Sequence, residues 1–301
     1  MGMQHSRSDK MEHLLGLISL LKLRIFILLW TESIVGLILA GGLNVGLPSS
    51  ASLTAVGFLA TGGAAALNNY YDRDIDRLMK RTSRRPIPMG KVSPREAIWL
   101  GALMASGGVV LAYRLLSLAS GTMVLAGLLT YSFVYTRLLK RTTPWNVVVG
   151  GASGSFAFLA GWTVARPVGI EAALIALMIF LWTPSHFWAL AIKAVDQYRS
   201  AGLPMLPAVV GIKKASLAIM VNSALLVTSS LILFVLGFFG FVYLVVATAL
   251  GGMLMASNVQ LYRSRSSSAA WRAYKYSAPY LFAISVAMVM DKFCYAVVAA
   301  S

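Results

Sequence analysis

The chain is short of charge, shorter still of acid, and nearly without cysteine. Only 12% of its 301 residues are charged, and Asp and Glu together number 10 against 26 Lys and Arg. A soluble domain would carry roughly twice that charged fraction. Cys294 is the single cysteine, which excludes an intrachain disulfide and any Cys-based metal site. Histidine is scarce as well: His5 and His13 lie in a polar N-terminal stretch, and only His186 falls in an apolar segment. No long Pro/Ser-rich linker divides the sequence, so residues 1–301 are expected to form a single domain, with 1–19 a polar N-terminal segment. No cleavable leader is expected, because residues 1–13 are polar and a full-length apolar stretch follows.

What the chain has in quantity is apolar sequence: 58% of residues are hydrophobic and the mean hydropathy is +0.75. Apolar stretches of about 20 residues recur throughout, the pattern of an all-α, polytopic membrane protein. Nine spans are predicted, over 20–42, 51–71, 96–116, 118–137, 145–165, 170–192, 215–237, 239–260 and 274–297. The net charge of +16 would suggest nucleic acid in a soluble protein, but here the basic residues cluster between spans, so no nucleic acid is expected. Every Lys and Arg except Arg114, Arg166 and Lys292 falls in the N-terminal segment through Arg24 or in the connections 72–95, 137–141, 193–214 and 261–275. These alternate along the chain. The bias puts the N-terminus in the cytosol and, with an odd number of spans, the C-terminus on the opposite side of the cell membrane.

The few acids are concentrated where the chemistry should be. Asn68, Asp72 and Asp76 follow one another at a spacing of four, at the point where an apolar span runs into a basic stretch. Four residues advance about 400° around a helix, so the three side chains form one stripe, while Asp74 points away. Carboxylates clustered at a membrane boundary are costly unless a positive group meets them. A hard divalent cation such as Mg²⁺, which takes oxygen ligands and shares them with substrate phosphates, is the natural candidate. Asp196, just beyond the sixth span and on the same side, is expected to supply a further ligand across a cavity. Arg81, Arg84 and Arg85 offer forked donors suited to phosphate oxygens. His186 sits in Leu181-Trp-Thr-Pro-Ser-His-Phe-Trp188, and an axial contact to a metalloporphyrin is one use for it. Gly150-Gly-Ala-Ser-Gly-Ser155 reads as a close-packing surface without chemistry.

These motifs resemble those of a known family. Asn68-Asn-Tyr-Tyr-Asp-Arg-Asp-Ile-Asp76 looks like the first aspartate motif of the UbiA-type intramembrane prenyltransferases. More narrowly, the chain resembles the protohaem IX farnesyltransferases, or haem O synthases. That likeness rests on Arg81-Thr82 with Arg85-Pro86-Ile-Pro, Gly90-Lys-Val-Ser-Pro94, Leu139-Lys-Arg-Thr-Thr-Pro-Trp-Asn146, the His186-Phe-Trp stretch and Ala201-Gly-Leu-Pro-Met-Leu-Pro207. The chain departs from the family at four points: Leu23 replaces a proline, Ala157-Phe158 replaces a Pro-Pro pair, Ser185 replaces a second proline, and Ser200 stands where the broader superfamily has a second carboxylate after Asp196.

The resemblance implies a bundle of about nine helices around a central cavity, open to membrane lipid on one side. It implies Mg-dependent transfer of a farnesyl group from farnesyl diphosphate to a vinyl group of protohaem IX (haem B), giving haem O. Metal would be held by Asn68, Asp72 and Asp76 with Asp196 opposite, diphosphate by Arg81, Arg85, Arg137 and Lys193, and haem by His186. A haem-modifying partner enzyme is a possible neighbour. Two other readings stand beside this one: transfer to another aromatic acceptor, such as a quinone precursor or chlorophyllide, and an ion-coupled transporter. The transporter reading expects carboxylates near mid-membrane, where Glu32 is the chief instance.

Overall fold

The computed structural model describes the backbone of residues 2–42 and 45–300 and the side chains of 10–42 and 45–294; His5 lies outside the described side chains. The described residues are helical throughout, with no strand. A short helix α1 (Gly2–Leu20) leads into α2 (Leu23–Gly41) and α3 (Leu47–Tyr71), which continues into the single-turn-and-a-half α4 (Arg73–Leu78). After a connection come α5 (Pro94–Leu115) and α6 (Leu118–Leu128), the latter running directly into a π-helical segment, Leu129–Leu139. The remainder is α7 (Asn146–Trp162), α8 (Ile170–Lys193), α9 (Val195–Ser200), α10 (Leu206–Val235), α11 (Phe241–Ser264) and α12 (Ser267–Ala300).

Eight helical stretches among the described residues are long and apolar enough to cross a membrane. At 17 residues, α7 lies at the short limit for a span, and it is packed between α2, α6 and α8, which makes it the ninth. The expectation of about nine spans is met, with two corrections to its edges. The first concerns the N-terminal segment, which is polar only at its start. Leu14–Leu20 is mainly apolar and helical, Leu20 is fully buried, and Leu17 packs against the cluster that Leu20 forms with Ala66, Ile87, Val92 and Ala97. The break between α1 and α2 falls at Lys22, in the left-handed region at φ 49°. The second concerns α10, which begins at Leu206 rather than 215 and is interrupted at Gly211, whose φ of 80° only glycine adopts readily.

Local sequence explains the breaks. Ser93 and Glu96 close a reciprocal capping box at the start of α5, with Pro94 in its first turn. The αL glycine Gly90 precedes it. Small residues let α3 and α5 touch backbone to backbone: a Cβ on Gly63 would stand 2.8 Å from the Gly101 carbonyl oxygen. The largest core cluster joins α2, α7, α8, α10, α11 and α12 around Phe158, Trp182, Tyr243 and Tyr280. A separate cluster, including Ile75, Met79, Tyr198, Leu203 and Met205, packs the two long basic connections against one another. That second cluster roofs the cavity described next.

Candidate active site

Asn68, Asp72 and Asp76 are buried, with residue exposures of 3%, 1% and 3%. The helix changes direction little between them, because the Asp72 amide still donates to Asn68 O (2.9 Å) and the Asp76 amide to Asp72 O (2.8 Å). The stripe expected from their spacing therefore forms. Asn68 Nδ2 donates to Asp72 Oδ2 at 2.9 Å and to Thr136 Oγ1 at 3.2 Å. Asp74 points outward as expected. Arg141 grips it with both guanidinium nitrogens, at 2.8 and 2.7 Å, while also donating to Tyr71 O. This bidentate pair holds the Asp74 carboxyl down to about 2 and fixes α4 against the loop after the π-helical segment.

Three cations converge on the stripe. Lys22 Nζ donates to Asn68 Oδ1 at 2.5 Å, Lys140 Nζ to Asp72 Oδ2, and Arg85 Nη1 to Asp76 Oδ2 at 2.7 Å. Burial pushes the Asp76 carboxyl above its ordinary range, and Arg85 opposes that shift. Lys22 and Lys140 were not singled out in the sequence. Lys22 stands at the break between α1 and α2 and Lys140 just past a π-helix, and neither position is visible in helical spacing. The π-helical turn itself is the local device: the Lys140 amide donates five residues back to Tyr135 O (2.8 Å), and Thr136 Oγ1 is brought to Asn68.

The stripe opens into a lobe whose walls include Arg81, Tyr135, Thr183, Phe187 and Met205. A second lobe, lined by α2, α3, α6 and α7, is almost wholly apolar, with walls that include Leu29, Trp30, Val56, Ala60 and Phe156. Ile25, Tyr131 and Ser153 line both lobes and mark their junction. Gly150 and Ser153 belong to the segment read as packing without chemistry. It does pack, since a Cβ on Gly150 would lie 2.7 Å from the Tyr135 ring, but both residues also form cavity wall. Of the unusual pair at 157–158, Ala157 lines the apolar lobe and Phe158 is fully buried in the core.

The stripe's donor set suits a hard cation. Asn68 and the two Asp carboxyls are oxygen donors, and Asp72 Oδ1 is buried without any hydrogen-bond partner. Among the described residues no three His, Cys, Asp or Glu side chains cluster as a metal cage, so the remaining ligands would be water and substrate oxygens. That arrangement is the usual one for Mg²⁺.

The structure does not bring four of the expected residues to this place. Asp196 is a correction: its side chain is 94% exposed on α9, paired only with Arg199 at 3.7 Å. The helix ends at Lys193, and Ala194 (φ −116°, ψ 25°) breaks it, turning α9 away from the direction of α8. Lys193 is exposed at the same break. Arg137 is exposed too, stacked over the rings of Tyr71 and Phe133 at 5.7 and 6.0 Å rather than facing the stripe. His186 is buried against α12. Its Nδ1 is 2.6 Å from Ser277 Oγ, and its ring lies between Trp182 and Tyr274, each 4.4 Å away. Its neighbours Thr183 and Phe187 take the cavity wall instead. Glu32, the mid-membrane acid, is buried and accepts from Ser285 Oγ at 3.2 Å, so it forms an interhelical tie and lines neither lobe.

Comparison with known proteins places this geometry in context. Residues 28–285 match the model of the UbiA prenyltransferase family. A protohaem IX farnesyltransferase of Cenarchaeum symbiosum is 42% identical over 276 residues, covering 90% of this chain and 93% of the relative. Another from Neorickettsia sennetsu is 38% identical, covering 91% of each chain. The fold matches that of digeranylgeranylglyceryl phosphate synthase with a TM-score of 0.79 at 19% identity, covering 93% of this chain and 98% of that one. It also matches a UbiA homolog from Archaeoglobus fulgidus bound to GPP and Mg²⁺, with a TM-score of 0.70 at 18% identity over 91% of this chain and 99% of that one.

Proposed function

We propose, from the premise that the chain belongs to the UbiA prenyltransferase family, that this multi-pass membrane protein transfers a farnesyl group from farnesyl diphosphate to a vinyl group of protohaem IX, giving haem O. The observation that carries the reading is the two-lobed cavity. An apolar chamber, chemically suited to an isoprenoid chain, meets at one junction a mouth where two buried acids and three cations face each other. The relatives at 42% and 38% identity are protohaem IX farnesyltransferases, which favours haem over a quinone precursor as acceptor.

The residues divide the work by charge. Diphosphate is a poor leaving group until its charge is met. Arg85, Lys140 and Lys22 are positioned to donate to its oxygens, in contacts that strengthen as the allylic C–O bond ionises. Asp72 and Asp76, with Asn68, would hold Mg²⁺, which when bound supplies Lewis-acid neutralisation of the diphosphate. Asp76 holds Arg85, Asp72 holds Lys140 and Asn68 holds Lys22, so the site is preorganised. The C–O bond breaks with its electron pair going to diphosphate. The vinyl π-pair of the acceptor then forms the new bond to farnesyl C1. Water adds to the cation left beside the ring and loses a proton, which leaves a hydroxyethylfarnesyl side chain. Ile25 and the apolar chamber behind it exclude water from the allylic cation until the carbon–carbon bond has formed.

The charge bias of the connections supports a cytosolic N-terminus and a cytosolic mouth in the cell membrane, which suits a soluble-headed diphosphate substrate. The test is direct. Purified protein in lipid nanodiscs, given labelled farnesyl diphosphate, Mg²⁺ and protohaem IX, is expected to form labelled haem O, identified by mass. Label appearing instead in a quinone precursor or chlorophyllide, with none in haem, would overturn the reading.

A further inference from the structure

Arg81 stands apart from the other cations of the cavity. Lys22, Lys140 and Arg85 all bond to the Asn68–Asp72–Asp76 stripe. Arg81 lines the same lobe but hangs on the other side of the mouth: its backbone N–H donates to Gln197 Oε1 at 3.3 Å, and its Nη2 to Tyr198 Oη at 3.4 Å. Among the described residues no carboxylate pairs with Arg81. An exposed guanidinium at the lip of a cavity, held by neutral groups, is a receptor for an anion brought by the ligand.

Which anion follows from the surroundings. The diphosphate already has three cations and the acidic stripe on the α3 side. The lobe that Arg81 lines is also walled by Val147, Thr183, Phe187, Leu203 and Met205, mainly apolar side chains of the kind that pack on a flat conjugated ring. Protohaem IX carries its two propionates at one edge and its two vinyl groups at the opposite edge. A propionate at the lip would therefore direct a vinyl group inward, toward the junction at Ile25, Tyr131 and Ser153. We propose that Arg81, held by Gln197 and Tyr198, binds a carboxylate of the macrocyclic acceptor and is not part of the diphosphate site. This assignment rests on the reading above, and it moves Arg81 from the role that the sequence motif implied.

The experiment compares acceptors that differ only in that carboxylate. Wild type, Arg81→Met, Arg81→Lys and Arg85→Met are assayed in nanodiscs with farnesyl diphosphate and either protohaem IX or its dimethyl ester. Wild type is expected to use the diacid at least about tenfold better than the ester, in kcat/KM. Arg81→Met is expected to lose that preference, with the KM for protohaem raised about tenfold and the KM for farnesyl diphosphate unchanged. Arg81→Lys should regain part of the preference, and Arg85→Met should keep it while its farnesyl diphosphate KM rises. If Arg81→Met does not accumulate, Tyr198→Phe, which frees the guanidinium, is expected to reduce the preference about threefold. A preference that survives intact in these variants, or a rise confined to the farnesyl diphosphate KM, overturns the assignment and leaves the general reading standing. A wild type that farnesylates neither acceptor overturns the general reading and this assignment with it.

Discussion

The exit of α8 and the exit of α3 look alike in sequence and behave differently in space. Each is an apolar helix that runs into acids and bases. At the end of α3 the i, i+4 hydrogen bonds run on through Asp72 into α4, so the spacing of four survives and three side chains converge in a buried site. At the end of α8 the same i, i+4 bonds pass through Ala194, but its backbone (φ −116°, ψ 25°) leaves helical geometry, so that α9 buries Val195 and Tyr198 and turns Asp196 to solvent. Periodicity places a side chain only as far as the helix persists. Burial then separates the two: an acid at 1% exposure must be answered by a partner, and one at 94% is answered by water.

The sharpest way to break this contrast is at Asp72. Asp72→Asn keeps the size of the side chain and its bond from Asn68 but removes the charge that would hold Mg²⁺ and Lys140. Haem O formation is expected to fall by about a thousandfold or more, with the variant still inserted and monodisperse. Turnover within tenfold of wild type would remove the metal site from the stripe.

Next in size is Lys140→Met. Lys140 approaches the stripe from the loop after the π-helix and would contact the departing diphosphate. The expected loss is about a hundredfold in kcat/KM for farnesyl diphosphate, with the protohaem KM unmoved. A change confined to protohaem would assign Lys140 to the acceptor instead.

His186 sharpens the comparison from the α8 side, because the motif that marks it most strongly in sequence does not bring it into the cavity. The ring is held by Ser277 and by two aromatic faces, an arrangement that ties α8 to α12 close to Pro184, which lies inside α8. His186→Ala should therefore cost about 2 kcal/mol of stability by leaving a void. It should lower the unfolding midpoint by several degrees while the folded fraction retains turnover within about threefold. The optical spectrum of bound haem is expected to be unchanged. A shift of that spectrum on substitution would make His186 an axial ligand after all.

How much was legible follows the same division. The bundle and its spans could be read because lipid demands about 20 apolar residues per crossing, a constraint local to each segment. The stripe could be read because the i, i+4 hydrogen bonds persist from α3 through Asp72 into α4, so Asn68, Asp72 and Asp76 keep helical spacing. Lys22 and Lys140 could not be read, since they reach the stripe across 46 and 68 residues of chain and from irregular backbone. Arg137 was misread for a related reason. It lies in the π-helical segment, where the residues per turn change and a side chain expected inward emerges against Tyr71. The apolar lobe was implied only through resemblance, because a cavity is a property of facing helices and not of any one of them.

The smallest expected effect tests the comparison most strictly. If the break at Ala194 governs, Asp196→Asn and Lys193→Met should each leave kcat/KM within about twofold of wild type and leave the Mg²⁺ concentration for half-maximal rate unchanged. The Asp196–Arg199 pair is exposed and distant enough that its loss should also change stability by less than about 0.5 kcal/mol. A tenfold rise in the Mg²⁺ requirement of Asp196→Asn would mean that α9 swings inward when substrate binds. The mouth would then close over the diphosphate by movement about Ala194, and the difference between the two helix exits would belong to the ligand-free enzyme alone.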